Sequence, residues 1–332
     1  MSLATAAHRL LKQLPPELAH RLAVRGMRKH RFAPGLKAWV TGAFASGFSL
    51  CGHVFTNPLG LAAGFDKHGV LVDAAQQYGF GWVEVGSVTY EPHTGNTGKR
   101  MFRVNAWDIQ NRMGLNGPGA HVVRERLLRA ESPHYGVSIA KSNKPEITGE
   151  RGIADVLKTV GLLNDLGAYH VINLSCPNSH DGQTFEDAAL LRELLPEVRS
   201  KLVRPWGVKL SPHRSKREMD ATLAACEAEG CWFYILGNTR PAEFKGTKGG
   251  RSGRSLLPLA LPRVRWLKQT TGKPVIACGG VHLGEHAYLY QLAGADAVQA
   301  YNGFVRGPAS GPTFAHTVLD EWMALRAPEF DR

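Results

Sequence analysis

The sequence predicts an α/β fold, a (β/α)8 TIM barrel of parallel strands with a two-helix extension at its N-terminus. Three observations carry that expectation. Eight short apolar or β-branched runs recur along the chain, at 59–63, 82–85, 136–140, 170–174, 207–210, 232–236, 274–277 and 297–299. Runs without polar alternation suit strands buried on both faces, the condition of a parallel sheet. Helical patterns fill most of the gaps, at 66–78, 152–166, 185–202, 216–229, 257–269 and 284–292, and a last one at 313–325 closes the chain. Strand followed by helix, eight times over, fits a barrel. Nearly every run also ends in a group able to bind something: Lys67, Ser87, Lys141, Asn173 with Cys176 and Asn178, Lys209, Asn238 with Thr239, Gly279 with Gly280, and Tyr301 with Asn302. A barrel gathers such ends on its C-terminal face, where barrel enzymes keep their sites. A doubly wound sheet is the alternative, but no GxGxxG follows the first run and eight units are many for it.

Taken in order, the chain opens with Leu3, Ala7, Leu10, Leu11 and Leu14 on one face of a helix, which Pro15 and Pro16 stop. A second helix starts near Glu17, with Leu18, Ala19, Leu22 and Ala23 on one side and arginines on the other. Residues 1–40 hold eight basic side chains against the single acid Glu17, a local excess of +7 within a net charge of +12. Amphipathic helices with basic polar faces suit a membrane interface, and packing on the body of the protein with solvated charges is the alternative. The expected division is a helical segment at 1–42 and a barrel at 43–332, with a small Gly-containing connector at 41–48. Some fifty residues separate the second and third strands, and insertions that long usually carry function.

Composition narrows the class. With 332 residues, 43% hydrophobic and 20% charged, the chain is long enough for a full core. Its five cysteines are odd in number and lack CxxC, which argues for reduced thiols over a disulfide framework or a zinc site. The 14 histidines show no HExxH, so no metal is expected. No apolar run is long enough to span a bilayer, and no continuous apolar segment reads as a secretory signal.

The densest chemistry lies in HVINLSCPN (170–178). Asn173, Ser175, Cys176 and Asn178 crowd the end of a buried strand. Amides donate and accept at once, and a thiol with a pKa near ~8.5 can move a proton. A polar turn with a buried structural cysteine is the competing interpretation.

Seven stretches now stand in one order: NPLGLAAGFDKHG (57–69), VEVGSVT (83–89), NRMGLNGPG (111–119), INLSCPN (172–178), GNT (237–239), GGRSG (249–253) and ACGGV (277–281). Together they resemble the motifs of dihydroorotate dehydrogenase, the flavin enzyme of pyrimidine synthesis. AHRLAVR (19–25) is similar to the membrane-associated, quinone-reducing class 2 branch. The resemblance runs from about residue 16 to the end. It implies oxidation of dihydroorotate to orotate, with hydride passing from C6 to N5 of FMN while Cys176 acts as the base at C5. By the same resemblance the NRMGL loop (Asn111, Arg112, Met113, Gly114 and Leu115) contacts substrate. Asn111, Asn173, Asn178, Asn238 and Thr239 hold the pyrimidine edges and carboxylate, and Lys67 reaches substrate and flavin. Ala62, Ala63, Gly64, Ser87 and Asn173 form the flavin cradle, and Lys209 lies near flavin N1. Gly253, Gly280, Tyr301 and Asn302 fall where the FMN phosphate is held, while His20 and Arg103 match the quinone tunnel. Class 2 ordinarily carries serine at the base position and Tyr and Phe where this chain has Met113 and Leu115; Cys176 and NRMGL are similar to class 1.

The implied partners are dihydroorotate, a quinone and a membrane surface, with no nucleic acid. The implied place is the cytoplasmic face of a bacterial inner membrane, or the mitochondrial inner membrane in a eukaryote. Three alternatives stay open: a related FMN dehydrogenase with another acceptor or dihydropyrimidine, a flavoenzyme like tRNA dihydrouridine synthase, and a flavin-binding membrane protein without turnover.

Overall fold

A computed structural model describes residues 3–29, 47–174 and 188–330. Ser175, Cys176 and Asn178 lie outside the described residues.

Eight strands close a parallel barrel, numbered here β1 (Leu59–Leu61), β2 (Trp82–Val88), β3 (Tyr135–Ile139), β4 (Tyr169–Asn173), β5 (Trp206–Leu210), β6 (Phe233–Leu236), β7 (Val275–Cys278) and β8 (Ala297–Ala300). Closure comes from β8 pairing with β1, Val298 against Leu59 and Ala300 against Leu61. Each strand overlaps one of the eight apolar runs.

The helices between strands carry local reasons to form. Lys216–Ala228 starts at a capping box in which Ser215 and Glu218 each satisfy the other's backbone N–H. Leu257–Thr271 has proline in its first turn and ends at Gly272 in the left-handed conformation. The expected helix at 66–78 shrinks to Val72–Ala75 and a 3-10 turn, Gln76–Tyr78. The Asp66 carboxylate accepts from the backbone N–H groups of His68, Val70 and Leu71 instead, holding the preceding loop open. A helix within the long insertion, Ala120–Leu127, has no counterpart among the expected ones.

Two sheets outside the barrel were not legible as such. A hairpin of Phe48–Leu50 and His53–Phe55 plugs the N-terminal end, where Phe48 and Phe55 pack on Trp82 with ring centroids 5.6 and 5.2 Å apart. Trp82 and Tyr169 fill the barrel axis because β1 and β3 each carry a glycine beside them. A Cβ on Gly60 would lie 2.3 Å from the Trp82 ring, and one on Gly136 would lie 2.2 Å from Tyr169. At the opposite end, Met101–Arg103, Asp108–Asn111, Thr247–Gly253 and Arg240–Phe244 form a four-stranded antiparallel sheet. It joins the insertion after β2 to that after β6, pairing Asn111 with Gly250.

The N-terminal helices α1 (Leu3–Leu11) and α2 (Pro16–Lys29) dock against this side sheet. Glu17 takes two hydrogen bonds from Arg100, at 2.6 and 3.1 Å, and Arg103 Nη2 donates to the Leu14 carbonyl at 2.6 Å. The helices pack on the body of the protein, while Leu10 and Leu22 stay 65% and 42% exposed among arginines.

Candidate active site

One cavity runs from the inner faces of α1 and α2 to the C-terminal ends of the barrel strands. Its far end is polar. Asn173, last in β4, donates from Nδ2 to Ser87 Oγ at 2.8 Å, and Ser87 in turn bonds Ser138 at 2.9 Å. Asn238 Nδ2 lies 3.5 Å from Asn173 Oδ1, and Asn238 Oδ1 accepts from the Thr239 N–H at 2.8 Å. Across the cavity, Asn111 Nδ2 reaches the Gly250 carbonyl at 3.4 Å. Each amide is therefore oriented by a neighbour, which gives a planar ligand a defined set of donors and acceptors.

Two lysines enter from different depths. Lys67 follows β1 and donates to the Gly64 carbonyl at 2.5 Å; the loop that holds it is the one Asp66 braces. Burial, aided by the Arg100 cation, pulls the Lys67 ammonium down to about 8. Lys209 rises from β5 and is 4% exposed. Its Nζ donates to Glu84 Oε1 at 3.2 Å.

The near end is apolar with a cationic mouth. His20 packs edge-on against Phe65 with centroids 4.9 Å apart, and its Nδ1 is buried without a hydrogen-bond partner. Burial, with Lys67 and His68 nearby, pushes the imidazole down to about 3, so it is neutral at ordinary pH. Leu11, Ala19, Ala23 and Phe304 complete the apolar wall, and Lys12, Arg103 and Arg306 stand at the opening.

The fold thus brings most of the expected site residues to one space: Ala63, Gly64, Lys67, Ser87, Asn111, Met113, Gly114, Leu115, Asn173, Lys209, Asn238, Thr239, Tyr301, Asn302, His20 and Arg103 all line it. Others stand behind the lining. Ala62 is buried, and the Arg112 guanidinium turns to the Thr97 carbonyl. Gly253 and Gly280 abut each other, a Cβ on Gly280 falling 3.3 Å from the Gly253 oxygen. Gly253 also abuts Asn302, whose Nδ2 would lie 2.6 Å from a Cβ there. Lys141, at a strand end, donates to the Ile147 carbonyl at 3.0 Å. Sequence reasoning missed Ser252, Ile109, Phe65 and Arg306 in the wall, and Glu84 with Gln299 beneath Lys209. A carboxylate and an amide inside otherwise apolar strands were the available signals. Among the described residues no group of His, Cys, Asp or Glu could hold a metal, and no helix is long and apolar enough to cross a membrane.

A closed parallel barrel with its ligand cavity at the strand C-termini defines a protein of the TIM-barrel enzyme type. The family model described as dihydroorotate dehydrogenase matches residues 47–324. A dihydroorotate dehydrogenase (quinone) of Haloarcula marismortui is 37% identical over 78% of this chain and 76% of its own. One of Thermus thermophilus is 34% identical, covering 94% of each chain. A crystal structure of the Eimeria tenella enzyme in complex with ferulenol superposes with a TM-score of 0.84 at 26% identity, over 96% of this chain and 95% of that one. The chain belongs to the dihydroorotate dehydrogenase family.

Proposed function

We infer that this protein oxidises dihydroorotate to orotate in pyrimidine biosynthesis and passes the electrons to a membrane quinone, with FMN as the cofactor. The observation that carries the reading is the single cavity with two unlike ends. A cluster of oriented amides suits a small polar ring, and an apolar passage between amphipathic helices suits a greasy acceptor.

The residues present fit a flavin. A Cβ on Gly64 would meet only the Tyr301 ring, at 3.5 Å, so backbone is open to a flat ligand there. Thr239 Oγ1 and Asn302 Oδ1 are buried without protein partners, on residues that line the cavity. Lys209 supplies positive charge from below. When bound, FMN supplies the hydride acceptor. Asn111, Asn173 and Asn238 hold the substrate edges in register, with Asn178 completing the set from outside the described residues. Lys67 meets the negative end of the substrate. Cys176 takes the C5 proton, a role that rests on its place in NLSCPN. Ala63, Gly64 and Ser87 would carry the ring with Ala62 behind them, while Tyr301 and Asn302 would hold the phosphate, backed by Gly253 and Gly280.

Residues 1–42 act as the membrane segment and 43–332 as the barrel. Exposed Leu10 and Leu22 among basic side chains support peripheral attachment, on the cytoplasmic face of a bacterial inner membrane. Anaerobic mixing of FMN-loaded protein with dihydroorotate should bleach the flavin, and a ubiquinone or menaquinone analogue should restore its colour. Deleting residues 1–40 should abolish vesicle binding and slow reoxidation while bleaching persists. Turnover with fumarate or NAD but with neither quinone analogue would sink the quinone reading.

A further inference from the structure

Glu84 is the one charged residue in the apolar run of β2, and it is fully buried. Its side chain points into the barrel and gathers donors from three strands. Oε1 accepts from Lys209 Nζ of β5 at 3.2 Å. Oε2 accepts from Gln299 Nε2 of β8 at 2.8 Å and from the Tyr169 hydroxyl of β4 at 3.3 Å. Tyr169 is fixed in turn by the Trp82 indole N–H at 2.9 Å, and Gln299 Oε1 lies 3.5 Å from Lys209 Nζ. A carboxylate in such a place is costly unless its partners are complete. Here they are complete, and the network ends at Lys209, which is part of the cavity wall.

We propose that Glu84 is a positioning residue for the flavin: it fixes the Lys209 ammonium at the cavity floor, charged and aimed upward. The inference rests on the flavoenzyme reading above. Burial is the largest influence on Lys209 and acts to lower its pKa, favouring the neutral amine. Two neighbours act upward and win, Cys278 and Glu84. Burial pushes the Cys278 thiol up, so it is neutral at ordinary pH, which leaves Glu84 as the counter-charge. The pair is neutral as a whole, yet its positive end faces the cavity. Negative charge that develops on a reduced ring above Lys209 then meets a cation already in place, with no side chain to reorganise.

The test compares FMN-loaded wild type with E84Q, which keeps the shape and removes the charge. Flavin reduction potential and the absorbance of the reduced flavin are followed against pH, from about 6 to about 10. Wild type should keep one reduced-flavin spectrum throughout. E84Q should retain FMN but show a new step as pH rises, with the potential falling as Lys209 loses its proton. The double variant E84Q/K209M should lack the step, because nothing is left to titrate. An E84Q enzyme that titrates like wild type, or a step that survives in the double variant, overturns the proposal. Should E84Q fail to fold, E84D reads the same quantity: its shorter reach should lower the potential without a step, and a wild-type potential overturns the proposal. If wild type itself fails to bind FMN or is not bleached by dihydroorotate, the flavoenzyme reading fails instead, so the two failures are distinct.

Discussion

Lys67 makes substrate affinity depend on pH in a way the structure sets. Burial holds its ammonium near 8, below the ordinary lysine value, and only the charged form can pair with an anionic ligand. The protonated fraction of a group titrating at about 8 falls from roughly nine-tenths at pH 7 to roughly one-tenth at pH 9, so orotate should bind about tenfold more weakly at the higher pH. The sign follows from the lowered value: affinity is present below 8 and is lost as pH rises through it. Orotate Kd, read from the flavin absorbance shift in wild type and in K67M, is the assay. The K67M variant should bind weakly at both pH values, and its profile subtracts any titration of the ligand itself. Wild type and K67M with the same pH dependence would refute the reasoning, and would point to a Lys67 that is neutral throughout or distant from the ligand.

Three further outcomes follow from named residues. C176A should slow flavin reduction by ~10²–10⁴ while FMN stays bound, the usual worth of a positioned base; stopped-flow bleaching at the wild-type rate would assign the base elsewhere. N111A should weaken orotate binding by ~1–3 kcal/mol without loss of FMN, since it leaves ligand groups unpaired; equilibrium titration showing lost flavin and intact orotate affinity would count against its role. G60A drives a methyl to 2.3 Å from the Trp82 ring and should cost about 1–3 kcal/mol of stability or more, read as a lowered melting temperature; an unchanged melting curve would mean that the barrel axis can repack.

The eight barrel strands were legible because their information is local. A run of apolar residues long enough to be buried on both faces reads the same whatever it pairs with, and all eight runs became strands. The groups at the strand ends were legible for a related reason, since strand direction alone decides which face they reach. Asn173, Lys209, Asn238 and Tyr301 accordingly meet in one cavity. The helix at 66–78 failed where a side chain outcompeted the backbone, Asp66 taking the N–H groups a helix would have used. What only tertiary structure decided are the contacts between residues distant in sequence. Asn111 is set by pairing with Gly250, and the hairpin at Phe48–Phe55 became a plug because Gly60 and Gly136 left room for Trp82 and Tyr169. Glu84 is a lone acid in an apolar strand, and the sequence reading passed over it. Its meaning depended on Lys209, Gln299 and Tyr169 arriving from three other strands, because a buried charge is tolerable only where the closed barrel delivers its partners.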